Sequence, residues 1–158
     1  MRYKLLILVT AIFFLAGCTF SAESHEKIEQ SQEDLPFTVT ITLPQQILVN
    51  EPFTITAQLI NNVDEAFAME SRKDIFYYLI QDHESRLINT IVLPEMAVHR
   101  TFSGSTAITE QYTYKINEPG IYEVAAVAEF TVEADGSKKE HKIKTEKRRL
   151  EVIQSSQK

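Results

Sequence analysis

The sequence of 158 residues has no tryptophan, a single cysteine, four glycines and five prolines. With one cysteine no intrachain disulfide can close, and no cysteine cluster can hold a zinc ion. So few glycines and prolines exclude a collagen-like or low-complexity chain. Histidine is sparse as well. His25, His83, His99 and His141 stand far apart, none pairs at i, i+2 or i+4 with another, and no H-E-x-x-H run occurs. They are expected on exposed loops and polar connections, with no metal bound. Positive charge is in deficit, with 16 Lys and Arg against 22 Asp and Glu for a net of −6. That balance excludes a nucleic-acid partner, because phosphate neutralisation needs an excess of cations. What is present is 44% hydrophobic, 9% aromatic and 24% charged, the composition of one globular domain.

The first residues read as an address. Arg2 and Lys4 precede Leu5 to Leu15, which is apolar apart from Thr10. As a helix rising about 1.5 Å per residue this run covers roughly half of a ~30 Å hydrocarbon core. That suits the apolar region of a signal peptide and falls short of a membrane span. Leu15-Ala16-Gly17-Cys18 then resembles the lipobox of bacterial lipoproteins, an apolar residue and two small ones before the cysteine that becomes the lipidated first residue. The resemblance implies a signal peptide at 1–17 and a diacylglycerol on Cys18. It implies residence on the extracytoplasmic face of the cell membrane, held there by the lipid. Two acyl chains anchor stably where one binds only marginally. Cys18 is then consumed by lipid, and no other cofactor is expected. Without Arg2 and Lys4 the mature chain carries −8.

Residues 18–36 follow as a polar tether. Glu23, Glu26, Glu29, Glu33 and Asp34 face one Lys27, and too few apolar residues are present to offset the cost of ordering the chain. From Phe37 the period becomes two. Phe37, Val39, Ile41 and Leu43 alternate with threonines, and Phe53, Ile55, Ala57 and Leu59 alternate with Thr54, Thr56 and Gln58. Ile75 to Ile80 is apolar on both parities, which predicts a central strand covered on both faces. Asp82 to Ser85 predicts a turn and Leu87 to Leu93 a returning strand. Tyr112, Tyr114 and Ile116 mark another strand, and Tyr122 to Val132 the longest. Asp135-Gly136 predicts a two-residue hairpin, since both residues accept positive φ. The last strand is expected from about Lys138 to Ile153. Its inward residue Ile143 is odd while Leu150 and Val152 are even, a conflict that a bulge between them would resolve. Val63 to Met69 fits a helical turn or a short strand. The expectation is an all-β protein: a single Ig-like antiparallel β-sandwich of about seven strands over 37–154, with a tail at 155–158.

Pro119-Gly120-x-Tyr122 opens the penultimate strand. In Ig-like sandwiches a tyrosine at this place sends its hydroxyl back to the backbone, so Gly120 and Tyr122 are assigned to a structural corner. Taken with Asn61-Asn62-x-Asp64-Glu65 and Asp74 to Asp82 (DIFYYLIQD), the pattern over residues 53–132 is similar to the BsuPI-type proteinase-inhibitor domain of Bacillus-group bacteria. That resemblance implies an Ig-like sandwich and inhibition of a proteinase. It carries no reactive-site residue onto this chain.

No catalytic constellation emerges. Asp82-His83-Glu84-Ser85 places a carboxylate, an imidazole and a hydroxyl side by side, whereas a triad is assembled from distant segments. Ser103-Gly104-Ser105 lacks the strand-to-helix setting of a nucleophile elbow. The chain is therefore expected not to be an enzyme but a protein-binding module of the cell envelope, its partner another envelope or secreted protein. Residues 138–158 carry eight basic residues against three glutamates, while 37–137 carry five basic against 14 acidic. Lys142, Lys144, Lys147, Arg148 and Arg149 form a candidate basic binding stripe for an acidic partner, anionic lipid headgroups or an anionic wall polymer. The competing reading is an edge strand protected by its charges against aggregation. Met96 and Phe102, on an expected loop from Leu93 to Ser105, are candidate contact residues.

Overall fold

Alternating threonines and apolar residues give β1 (Phe37–Thr42) one inward face, with Phe37, Val39 and Ile41 buried. The computed structural model describes residues 36–94 and 97–154. β1 is followed by β2 (Gln46–Leu48), β3 (Pro52–Asn61), β4 (Phe67–Gln81), β5 (Ala97–Phe102) and β6 (Ala107–Lys115). Then come β7 (Gly120–Ala134), β8 (Ser137–Lys144) and β9 (Arg148–Ile153). One sheet has the order β1-β3-β6; the other has β2-β9-β7-β4-β5, with β8 also paired to β7. All pairs are antiparallel except β2 with β9. The inner faces close on a core that includes Ile55, Leu59, Val124 and Leu150, each at 0% exposure.

The expected all-β sandwich is what forms, with nine strands where about seven were read. β9-β7-β4 and β1-β3-β6 correspond to the G-F-C and A-B-E arrangement of Ig-like sandwiches. The other three are β2, formed where the chain crosses between sheets after Pro44, β5, which pairs with β4, and β8, the first part of the expected last strand. The expected strand over Leu87 to Leu93 is not one. Leu87 makes a single bridge to Gln81, and Ile88 N donates to Ile80 O at 2.9 Å. Beyond that, the buried side chain of Asn89 takes over. It accepts from Ile80 N at 2.9 Å and donates to Tyr78 O at 2.8 Å, doing for β4 what a neighbouring strand's peptide would do.

The turns are built as their residues dictate. Asp135 and Gly136 sit at φ 51° and 71°, as the two-residue hairpin requires. Asp82 closes its turn by accepting from Glu84 N and Arg86 N, each at 2.9 Å. Gly104 lies so near the neighbouring turn that a β-carbon there would stand 2.2 Å from the backbone of Asp64.

Two phase slips flank β7. Along β8 the inward residues are His141 and Ile143, along β9 Leu150 and Val152, and the pairing to β7 moves by one residue between them. Thr145 bridges the break, with its N donating to Ala126 O at 2.9 Å and its hydroxyl accepting from Ala126 N at 3.0 Å. This is the expected bulge, enlarged enough to divide the strand in two. The second slip lies in β4, between Ser71 and Phe76. Inward residues are Phe67 and Met69 before it, and Phe76, Tyr78 and Ile80 after it. The apolar run on both parities arises from this slip, which buries Ile75 and Phe76 together; Tyr77 and Leu79 are only half-buried on the outer face.

Irregular backbone inside a sandwich needs partners for its polar groups. Glu110 of β6 supplies them from the opposite sheet. Its two carboxylate oxygens accept from Ile75 N at 2.9 Å and Phe76 N at 3.1 Å. Arg100 of β5 covers the carbonyls, donating to Arg72 O at 3.1 Å and Lys73 O at 3.2 Å. Replacing Glu110 by Ala strands two amides in a partly buried place, at a cost of about 2 kcal/mol or more. Glu110→Gln, which keeps one acceptor oxygen, should cost less, and urea unfolding of both variants measures the difference.

Candidate functional site

The basic stripe of the last strands divides into paired and unpaired members. Glu129 on the outer face of β7 holds Arg72 at 2.9 Å and also pairs with Lys142. The Tyr77 ring lies between those cations, 5.9 Å from the Arg72 guanidinium and 5.7 Å from the Lys142 ammonium, distances that allow cation–π attraction. Burial pushes the Glu129 carboxyl up, but hydrogen bonds from Lys142 and Arg72 outweigh it and leave its pKa below the ordinary value. Lys147 pairs with Glu123, and Lys138 with Glu70 at 2.9 Å. Lys144, Arg148 and Arg149 have no ion pair among the described residues.

Arg148 and Arg149 instead border a cleft of about 650 Å³ on the flank of the sandwich, with Ile41, Thr42, Leu43, Gln45 and Glu151. The β1 strand ends here and the chain crosses to β2, so the flank is left open between the sheets. A second groove, about 490 Å³, lies where the β4 slip and the 89–94 segment leave β6 without a neighbour. Tyr78 and Tyr112 stack in its lining at 4.9 Å, beside Glu110 and Asp74. Val92 on the same segment is 79% exposed. Among the described residues no three His, Cys, Asp or Glu side chains converge as metal ligands.

Phe102 is no contact residue. It is 1% exposed and stacks on Phe37 at 5.9 Å, because residues 97–102 form β5 and pair with β4 where a loop was expected. The expectations for Cys18, for Met96 and for the tail at 155–158 lie outside the described residues, as does the tether up to residue 35. Tyr122 makes its corner, donating to Glu118 O at 3.0 Å, and its ring lies over Gly120. Of the other residues behind the inhibitor resemblance, Ile75 to Ile80 belong to strand β4, with Ile75, Phe76, Tyr78 and Ile80 in the core, and Asn61 builds turns. Asn61, 1% exposed, donates to Glu65 O at 2.8 Å and Ser103 O at 3.1 Å, tying two turns together.

No protein-family model and no curated protein matches this chain. Among solved structures it is similar to an ApaA-like protein from Bordetella pertussis, at 14% identity and TM-score 0.47, over 75% of this chain and 95% of that one. The structural-genomics target SoR45 aligns at 15% identity and TM-score 0.47, over 73% and 86% of the two chains. The sporulation control protein Spo0M of Bacillus subtilis aligns at 12% identity and TM-score 0.38, over 77% and 51%. Likenesses this distant say nothing of activity.

His141 was expected on an exposed connection and is instead 5% exposed. Its odd position on β8 puts it inward with Ile143. The ring stacks on Phe130 at 5.2 Å and meets Phe37 edge-on at 5.3 Å. Neither nitrogen has a hydrogen-bond partner among the described residues. Burial holds its pKa below the ordinary 6.5, and Lys139 pushes it the same way. The native state thus refuses a proton that the unfolded chain accepts, so this group's contribution is intact above the unfolded pKa and is lost as pH falls through it towards the folded value. His141→Phe should flatten the decline in stability from about pH 7.5 to about pH 5.5. It should also gain about 1 kcal/mol by removing unpaired buried nitrogens. Chemical denaturation across that range reads both effects.

Proposed function

We propose that this protein is a lipid-anchored binding module on the extracytoplasmic face of the cell membrane, without catalytic activity, which engages another envelope or secreted protein through its strand edges. The observation that carries the reading is Cys18. The chain's one cysteine falls directly after Leu15-Ala16-Gly17, behind a basic and then apolar leader. A polar, acidic stretch separates it from a sandwich that begins at Phe37, which suits a domain held at a distance from a surface. The candidate contact surfaces are the unpaired side of β6 and the exposed basic residues of β8 and β9. Metabolic labelling with an alkyne fatty acid should mark the wild-type protein and place it in the membrane fraction. Cys18→Ala should abolish the label and block processing of the leader. Equal labelling of both proteins would overturn the anchor.

The resemblance to BsuPI-type domains supports a second reading, in which the partner is a proteinase and the module its inhibitor. Titrating the protein against secreted and envelope-bound serine proteinases tests it. Saturable inhibition with the chain left uncut supports this reading, and undiminished proteolysis at high inhibitor excess removes it.

A further inference from the structure

Strand β8 is joined to the core by two side chains, and one of them is a histidine. Of its eight residues only His141 and Ile143 are buried. Its one strand partner among the described residues is β7, and β7 has β4 on its other side. Both ends of β8 are pinned. The Asp135-Gly136 turn precedes it, and Thr145 follows it, bonded to Ala126 through both its amide and its hydroxyl. A segment so bounded can leave the sheet while the rest stays folded, because local opening costs only the few buried contacts it breaks. On the outer face, Lys138 pairs with Glu70 and Lys142 with Glu129 at the surface, where ion pairs contribute little. The hydrogen bond from Lys138 holds the Glu70 carboxyl below its ordinary value. At Glu129, burial pushes the other way and is outweighed by the bonds from Lys142 and Arg72. Both carboxylates therefore stay ionised through the range in which a histidine titrates.

The inner face does respond to pH. The His141 ring lies between Phe130 and Phe37, and neither nitrogen has a hydrogen-bond partner among the described residues. A neutral imidazole leaves two polar atoms unpaired there. An imidazolium leaves two donors and a full charge, which burial makes far more costly. No described acid faces the ring. β7 turns Ala128, Phe130 and Val132 towards it and β1 turns Phe37 and Val39, with Phe67 of β4 and Phe102 of β5 behind Phe37. Glu129, Glu133, Glu140 and His99 take the outer phase of their strands. Lys139, two residues away on β8, carries a positive charge and opposes the proton as burial does. We propose that β8 is an acid-sensitive latch: protonation of His141 detaches residues 137–144 and uncovers Phe37, Phe130 and the side of β7 that β8 had paired. Only the open form accepts the proton readily, so opening gains as pH falls below the ordinary histidine value of 6.5 and is reversed above it. From pH 7.5 to pH 5.5 the shift towards the open form reaches at most about tenfold.

The test is amide hydrogen exchange of the purified full chain in non-ionic detergent micelles, read by NMR at pH 7.5 and pH 5.5 in low concentrations of urea. Rates are expressed as protection relative to the intrinsic exchange rate at each pH. Amides that join β7 to β8 should exchange through an opening less dependent on urea than the one that frees amides joining β3 to β6. Their protection should fall by up to about tenfold between the two pH values. His141→Phe should keep that protection constant, whereas His99→Gln, which alters an exposed histidine, should show the same fall as the wild type. If the β7–β8 amides share the protection and urea dependence of the β3–β6 amides, β8 unfolds only with the whole domain and the latch is overturned. An equal fall in His141→Phe overturns it as well, since the proton then acts elsewhere. A further measurement needs no variant: ring signals of His141 in the wild type should titrate below 6.5, and titration at or above that value removes the proposal.

Discussion

Strand β7 keeps one side-chain phase from Tyr122 to Val132, with every even residue turned into the core, and the rest of the sandwich accommodates to it. A period of two allows no compromise. A neighbour whose apolar residues fall out of phase must either expose them or slip. Both neighbours slip. β4 reaches β7 with Met69 inward on one side of its irregularity and Phe76 on the other. The last strand does the same between Ile143 and Leu150. Each slip releases backbone amides and carbonyls inside a water-poor region, and each is stabilised by a side chain placed for it. Glu110 and Arg100 serve the first and Thr145 the second. Glu110 reaches across from the other sheet, so the irregularity in one layer also fixes how the two layers sit together.

These two slips mark the limit of what could be read from the sequence. The one before β9 was visible because odd Ile143 and even Leu150 are separated by polar residues, leaving the conflict of phase exposed. The one in β4 was hidden because Ile75 and Phe76 are adjacent and both apolar. A run buried on alternating parities around a slip has the same composition as a strand buried on two faces. Residues 87–93 failed for a related reason. Leu87 and Ile88 do begin a pairing with β4, but Asn89 then substitutes its amide for a strand, and a single buried asparagine leaves no periodic trace. The turns were legible because their chemistry is local: Asp135-Gly136 and Asp82 act within a few residues of themselves.

The candidate site was legible in composition and not in arrangement. Five cations in one stretch were apparent, but the pairing of Lys142 and Lys147 depends on Glu129 and Glu123 of β7, more than ten positions away and meaningful only once register is known. Phe102 was misplaced because an apolar residue beside His99 and Arg100 resembles a loop contact. β5 in fact alternates, with His99 and Thr101 outward and Phe102 inward against Phe37. His141 escaped notice because a histidine between two charged residues carries no apolar signal, although its parity with Ile143 would have placed it in the core.

Several of the residues from which the inhibitor resemblance was drawn hold turns. Asn61 joins two loops, Asp82 closes a third and Tyr122 locks the corner before β7, each through backbone groups inside the domain. Such residues recur wherever an Ig-like sandwich must make the same bends, so they inform on architecture and leave the ligand open. What distinguishes one sandwich from another lies where the architecture asks for nothing. On this chain that is the flank where β1 ends, at which Arg148 and Arg149 have no ion pair among the described residues. An arginine there contributes little to folding, because an exposed cation without a counter-ion stabilises nothing. Arg148 shares its phase with inward Leu150 and Arg149 with Glu151, so the two cations leave β9 on opposite faces and neither answers a need of the sheet.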